Sequence, residues 1–170
     1  ADSSTKVFEL PKADGISKTY FLKLQLKDAA GKLVSENFYW LSTKADTLDW
    51  KHRQDTVYTP QAEFGDLSGL NSLPQINLTA SRVSGEGSEQ VTITNPGNAI
   101  AFMVHLRVTR GKDGEDVTPI LWQDNYFSLL PGESRTVTAK FDSSLLEGKE
   151  AVVELDGWNA VSATLGTSAN

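Results

Sequence analysis

The sequence predicts an all-β protein whose strands pair in an antiparallel sandwich. Apolar and polar residues alternate with a period of two in many short stretches, as they do in strands with one buried face. Clusters of Gly, Pro, Asn and Asp separate these stretches at intervals of about 8–12 residues. No stretch alternates strands with long helices, which excludes a doubly wound sheet and a barrel of eight strands and helices.

The N-terminal part predicts an incomplete sandwich. Residues 20–27 alternate cleanly, residues 28–32 supply a turn, and residues 33–41 form the returning strand. Residues 6–10 and 57–59 are shorter strand candidates. An immunoglobulin-like sandwich needs about seven strands, so residues 1–59 are predicted to be only part of one.

Two explanations account for the shortage of strands before residue 60. This segment packs on the domain that follows it, or its missing strands precede Ala1 in a longer polypeptide. We favour the second explanation. The chain also begins without Met or a signal-type apolar region. The chain is therefore expected to have been processed or excised from something longer.

Residues 60–74 are predicted to be a linker. They are rich in Gly, Ser, Asn and Pro and show no strand alternation. At most one helical turn is expected within them. The domain boundary is expected within this stretch.

Residues 75–160 are predicted to form a complete immunoglobulin-like sandwich. Asp142 is the expected cap of a single helical turn that ends at Leu146. Residues 161–170 are expected to be a tail. The predicted strands are about seven in number, as that fold requires, and cover residues 76–80, 90–94, 100–110, 117–122, 126–129, 136–141 and 151–155.

Composition excludes several classes of function. The chain has no cysteine, and its 2 histidines, His52 and His105, are too few and too scattered for a zinc site. A formal net charge of −6 argues against a nucleic-acid partner. No run of about 18 apolar residues predicts a membrane span. We therefore expect no metal, no cofactor, no nucleic acid and no membrane partner.

Catalytic motifs do not emerge from the sequence. No serine lies in a Gly-x-Ser-x-Gly elbow, and His105 falls in the middle of a predicted strand. Asp113, Glu115 and Asp116 lie in a hairpin loop without the spacing of a calcium loop, which favours a solvated turn. No catalytic residue is predicted.

Aromatic side chains are the remaining candidates for a functional site. Their flat faces can stack on the apolar face of a sugar ring, although aromatic residues also fill cores and interdomain contacts. Four such residues are the candidate substrate-binding residues: Trp50, Trp122, Tyr126 and Trp158.

Three stretches carry a family resemblance. Residues 36–42 resemble the end of the immunoglobulin-like domain that follows the catalytic barrel in glycoside hydrolase family 2. The connector in its exo-β-D-glucosaminidase and β-mannosidase branches is similar to residues 50–55, 58–60 and 66–73. Residues 122–133, together with residues 95–97 and 107–111, resemble the C-terminal immunoglobulin-like domain of exo-β-D-glucosaminidases.

The resemblance implies an accessory region of a five-domain, exo-acting, retaining glycosidase. It implies that the catalytic carboxylates belong to a barrel outside this chain, and that the protein is secreted or periplasmic. The expected partners are that barrel and, at the edge of its cleft, chitosan or manno-oligosaccharides. The alternatives are an independent carbohydrate-binding module, an enzyme in its own right and a structural adhesion domain.

Overall fold

The computed structural model describes residues 2–11, 13–52 and 58–165. The chain is all-β and divides into two compact units, residues 1–72 and residues 73–170. The division falls within the stretch predicted as a linker, residues 60–74. Part of that stretch is ordered in the first unit, because it contains a short strand and a 3₁₀ helix. No helix in the described part of the chain is long and apolar enough to cross a membrane.

The first unit is built on one long hairpin. Asp28 closes its turn, because the Asp28 Oδ1 atom accepts hydrogen bonds from the backbone N–H groups of Ala30 and Lys32, both at 2.9 Å. A second, shorter pair of strands follows. The elements are β1 (Thr19–Lys27), β2 (Leu33–Ser42), β3 (Thr47–Leu48), β4 (Gln61–Glu63) and 3₁₀ helices over Trp50–His52 and Ser68–Ser72.

The hairpin leaves apolar side chains incompletely covered. Leu22 on β1 lies opposite Tyr39 on β2, and Tyr39 is exposed. A two-stranded sheet has too little surface to bury either face by itself. The strand predicted over residues 6–10 was wrong. Among the described residues this stretch has no neighbouring strand to receive its hydrogen bonds, and Val7 is 84% exposed.

The second unit is a sandwich of two four-stranded sheets, which confirms the predicted fold class. One sheet has the order β5-β6-β10-β8 and the other β12-β11-β7-β9, and all pairings within them are antiparallel. The strands are β5 (Thr79–Gly85), β6 (Ser88–Thr94), β7 (Ala101–Arg110), β8 (Ile120–Trp122), β9 (Phe127–Leu129), β10 (Ser134–Phe141), β11 (Ala151–Asp156) and β12 (Ala163–Leu165).

The core lies between the two sheets and follows the predicted alternation. Val104, Leu106 and Val108 of β7 are buried there with Val137 and Ala139 of β10. The expected helical turn is also present, because the Asp142 side chain accepts from the Ser144 N–H at the start of a 3₁₀ helix over Ser143–Leu146.

Several strands differ from the prediction. The strand expected over residues 117–122 begins only at Ile120, and the strand expected from Ile76 begins at Thr79. Ile76 forms an isolated parallel bridge with Ala160. Residues 163–165, within the stretch expected to be a tail, pair with β11 as β12, since the unpaired edge of β11 offers its backbone groups to them. Of the strand expected over 57–59, residue 57 lies outside the described residues.

A buried arginine, ion-paired within its own sheet, links the two sheets. The Arg82 Nε atom lies 3.4 Å from the Glu89 Oε2 atom, and both side chains are buried. Arg82 also donates to the carbonyls of Ala151 and Leu165 on the opposite sheet, at 3.0 and 3.1 Å. Burial raises the pKa of the Glu89 carboxyl, while a hydrogen bond from Ser84 and the charge of Arg82 oppose that shift.

Candidate functional site

The outer face of the β12-β11-β7-β9 sheet carries a group of charged side chains. Alternation along β7 turns His105 and Arg107 away from the core, and alternation along β11 does the same for Glu154 and Asp156. The strand register sets these residues opposite one another, His105 against Asp156 and Arg107 against Glu154. These cross-strand neighbours therefore form two adjacent pairs.

His105 lies between an aromatic ring and a carboxylate. Its imidazole stacks on the Tyr126 ring with 4.5 Å between ring centroids and an interplanar angle of 15°. Its Nδ1 atom lies 3.0 Å from the Asp156 Oδ1 atom, which is a hydrogen bond when that nitrogen carries the proton. The histidine is therefore held from two sides.

Arg107 is shared between two carboxylates. It hydrogen bonds to Glu154, and its Nη1 atom lies 3.3 Å from the Asp116 Oδ1 atom. The pKa of the Arg107 guanidinium is raised, chiefly by the hydrogen bond with Glu154, and the charges of Asp116 and Asp156 act in the same direction. With Asp156 included, the face holds three carboxylates and one guanidinium, which leaves it negative.

Asn125 fixes the backbone beside this face. Its side-chain oxygen accepts from the N–H of Leu106 at 2.9 Å, and its amide nitrogen donates to the Leu106 carbonyl at 2.8 Å. The Asn125 side chain thus makes the hydrogen bonds that a neighbouring strand would make to Leu106. The strand β9 pairs with β7 only as far as Val104. The next residue, Tyr126, has φ 56°, a left-handed conformation that is uncommon for a non-glycine residue.

A cavity of about 210 Å³ opens beside the charged face. It lies between the edge of β7 and the segment that leads into β8. This volume is below the range of about 300–1,000 Å³ typical of sites for drug-sized ligands, and it suits a single small ring. The residues that matter for its chemistry are His105, Arg107, Asp116, Thr118, Trp122 and Asn125.

The four aromatic candidates belong to different elements of the two units. Trp50 is 65% exposed on its 3₁₀ helix in the first unit, whereas the other three belong to the second unit. Trp158 is exposed and meets Phe102 edge-on, with 6.3 Å between centroids. Trp122 is partly buried against the core and also lines the cavity, and Tyr126, 58% exposed, stacks on His105 at the same place.

Sequence reasoning missed the polar partners of these aromatic residues. The strand position of His105 was predicted, but its contacts with Tyr126 and Asp156 depend on the pairing of strands distant in the sequence. Asp116 was assigned to a solvated turn. It is half exposed and ion-paired with Arg107. Among the described residues no group of three or more His, Asp or Glu could hold a metal ion.

Comparison with known families identifies the chain. The profile described as the exo-β-D-glucosaminidase Ig-fold domain matches residues 56–160. The chain belongs to this family. The match to this Ig-fold domain covers all of β5 to β11, and it includes every residue named above for the charged face and the cavity.

Relatives of this chain include several exo-β-D-glucosaminidases. The enzyme of Amycolatopsis orientalis is 44% identical over 163 residues, which cover 92% of this chain and 16% of that enzyme. The enzyme of Streptomyces avermitilis is 40% identical, over 89% of this chain and 17% of its own length. A lily mannosylglycoprotein endo-β-mannosidase is 35% identical over 145 residues.

Solved structures agree with the sequence relatives. The crystal structure of the A. orientalis exo-chitosanase CsxA superposes with a TM-score of 0.80 at 44% identity, over 93% of this chain and 19% of that one. The predicted resemblance to the immunoglobulin-like region of family 2 exo-β-D-glucosaminidases is thereby confirmed. The chain spans less than a fifth of the length of these relatives.

Proposed function

We propose that this chain is a non-catalytic accessory region of an exo-β-D-glucosaminidase that acts on chitosan oligosaccharides. The observation that carries the proposal is the alignment of 92% of the chain with 16% of a known exo-β-D-glucosaminidase. The partner of the chain is then the catalytic barrel of the same enzyme. The β-mannosidase alternative has less support, because the lily relative is less similar.

The carboxylates on the charged face favour a non-catalytic role. A glycosidase needs two carboxyl groups facing each other across the scissile bond. Here Glu154 and Asp116 are bound to Arg107, and Asp156 is bound to His105. Such pairing gives each of these carboxylates a structural partner on the surface.

The first unit supports the same proposal. The partly covered apolar side chains of the β1–β2 hairpin, such as Leu22 and Tyr39, would be buried by the other strands of a sandwich. We place those strands in the part of the enzyme that precedes residue 1. We also propose that the enzyme is secreted or periplasmic, as the family resemblance implies, and cell fractionation with an antibody tests it.

Hydrolysis by the chain alone is the direct test of the non-catalytic role. The purified chain is expected to release no nitrophenol from p-nitrophenyl β-D-glucosaminide or the β-mannoside. The whole enzyme and the whole enzyme lacking residues 73–170 are assayed in parallel. Loss of activity or of thermal stability in the truncated enzyme supports an accessory role. Turnover by the isolated chain, or a truncated enzyme that behaves like the whole one, would refute it.

A further inference from the structure

We propose that the outer face of the β12-β11-β7-β9 sheet docks, at its aromatic end, on the catalytic barrel of the same enzyme. The aromatic end is defined by two exposed side chains, Tyr126 and Trp158, and by Phe102 beneath Trp158. The inference rests on the proposed function for the identity of the partner, and it takes the surface from the fold. Large exposed aromatic side chains grouped on one face are typical of protein–protein contacts.

Two aromatic contacts bring these side chains together along β7. Trp158 meets Phe102 edge-on, and the Trp158 backbone N–H donates to the Phe102 carbonyl at 3.0 Å. Tyr126 stacks on His105 of the same strand. Trp158 also follows closely on Asp156, the residue opposite His105. The two exposed rings therefore flank one stretch of β7 and belong to a single patch.

An irregularity in β7 turns Phe102 towards this face. The register of β7 with β9 shifts between Ala101 and Val104, and both of these residues belong to the core between the sheets. Phe102 lies between them and is only 2% exposed, yet it is not a member of that core cluster. A β-bulge commonly re-aims a side chain in this way. A large apolar side chain is thus placed outside the core, and Trp158, which contacts it, remains 54% exposed.

The composition of the face is that of an interface. Tyr, Trp and Arg are the residue types that contribute most to binding at protein–protein contacts. Here the exposed aromatic rings lie at one end, and the cross-strand pair of Arg107 and Glu154 continues the same face. This arrangement matches the apolar centre and the polar rim of a protein–protein interface.

The outer face of the β5-β6-β10-β8 sheet is a poorer docking surface. Hydroxyl groups pair across its central strands, with 2.8 Å between the Oγ1 atoms of Thr92 and Thr136. Its exposed aliphatic side chains Val83 and Leu121 lie on the outermost strands, β5 and β8, with β6 and β10 between them. Strands spaced about 4.8 Å apart hold these two positions roughly 14 Å from each other, which is too far for one patch.

The size of the relatives supplies a partner for the aromatic end. This chain aligns with 16% of the A. orientalis enzyme, so most of such an enzyme lies outside these residues. The proposed function makes the catalytic barrel the partner within that remainder. Contacts between domains of one polypeptide bury about 600–1,500 Å² in total, and two large aromatic side chains with a polar rim can form the centre of such a contact.

Hydroxyl-radical footprinting, measured by mass spectrometry, tests this surface in the 170-residue chain and in the whole enzyme. The oxidation rates of Tyr126 and Trp158 are expected to fall at least about fivefold in the whole enzyme, because the centre of an interface excludes water. Leu121, exposed on the other sheet, is the internal control and should keep its rate. A benzophenone photo-crosslinker at position 126 should link to peptides of the barrel, and the same group at position 121 should not.

Two matched variants separate docking from local packing. Tyr126→Asn removes the ring and introduces a residue type that tolerates the left-handed backbone at this position. It is expected to raise the oxidation rate of Trp158 at least about threefold in the whole enzyme and to leave it unchanged in the isolated chain. Leu121→Asn should change that rate in neither protein. An equal rise in both proteins would show that Tyr126 acts only on local packing, and it would refute the docking role.

Several other results would overturn this surface. They are equal oxidation of Tyr126 and Trp158 in the two proteins, stronger protection of Leu121 than of either ring, protection in the isolated chain that grows with its concentration, or cross-links only to domains other than the barrel. None of these results bears on the accessory role, which is judged by the truncated enzyme. Conversely, a truncated enzyme that behaves like the whole one would refute the accessory role and leave a measured contact intact.

Discussion

At the scale of single residues, the Arg82–Glu89 pair dominates the polar interior of the sandwich. Replacing Arg82 by Met leaves the Glu89 carboxyl buried without its cationic partner. Breaking a buried ion pair on one side costs about 3–5 kcal/mol, so we expect a loss near 3 kcal/mol at pH 7. The double variant Arg82→Met/Glu89→Leu should recover to within about 1 kcal/mol of the native chain. Urea unfolding measures both values, and a double variant as unstable as the single one would contradict this prediction.

The same pair predicts how stability depends on pH. Burial already raises the pKa of Glu89, and loss of the Arg82 charge, which opposes that shift, raises it further. The folded state then holds the proton to a higher pH than the unfolded state, where the pKa is about 4.3. The stability that protonated Glu89 contributes is fully present below the unfolded-state pKa. It is lost as the pH rises through the pKa of Glu89 in the folded state. Arg82→Met should therefore cost less at pH 4 than at pH 7, and a cost independent of pH would contradict this assignment.

Asn125 is the second residue whose replacement has a definite expected cost. Asn125→Ala removes the two hydrogen bonds to Leu106 and leaves an N–H and a C=O of β7 without them. Unsatisfied backbone groups cost about 1–3 kcal/mol each when buried, and the site is partly buried, so a loss of about 2 kcal/mol is expected. Asn98→Ala, in an exposed turn, is the control and should stay within about 0.5 kcal/mol of the native chain. Thermal unfolding followed by circular dichroism compares them.

At the scale of elements, the β5–β6 turn is limited by space as well as by backbone conformation. Gly87 has φ +61°, and a Cβ atom there would lie 2.5 Å from the Phe141 carbonyl oxygen. Gly132 has φ +79°, and a Cβ atom added to it would have no neighbouring atom within 4 Å. Gly132→Ala should cost about 1 kcal/mol for the left-handed conformation alone. Gly87→Ala should cost clearly more, because the end of β10 must also move, and equal costs in denaturant unfolding would contradict this.

Elements with a strong local pattern were predictable from sequence, and elements defined by their neighbours were not. Alternation placed β7 correctly, because its buried face repeats at every second residue from Val104 to Val108. The short strand β12 has 3 residues and exists only because the edge of β11 is available to it. Residues 6–10 show the reverse case, since they have a strand-like pattern and no neighbouring strand.

The candidate site was predictable in its aromatic members and not in its polar ones. Trp122 and Tyr126 were identified from residue type alone. Their association with His105, Asp156 and Asp116 depends on the strand register of β7 with β11 and on a loop that returns to β7. No local sequence pattern encodes these long-range pairings, which is why the cavity was missed.

At the scale of the whole molecule, the two units differ in how far their apolar side chains are covered. The second unit buries fifteen residues in one cluster between two sheets. The first unit has a single long hairpin, and of its described residues only Leu70 is buried. Two strands without a covering layer are marginally stable, so the hairpin is expected to open far more often than the sandwich.

Amide hydrogen exchange tests this difference and the proposed position of the missing strands together. In the 170-residue chain, amides of β1 and β2 are expected to exchange at least about a hundredfold faster than those of β7 and β11, because local opening of the hairpin costs far less than unfolding of the core. In the whole enzyme, where preceding strands would cover Leu22 and Tyr39, protection of β1 and β2 should rise towards that of β7. The amides of β11 serve as the internal control and should change little. Slow exchange of β1 in the isolated chain would show that the hairpin needs no further strands, and unchanged fast exchange in the whole enzyme would show that no strands cover it.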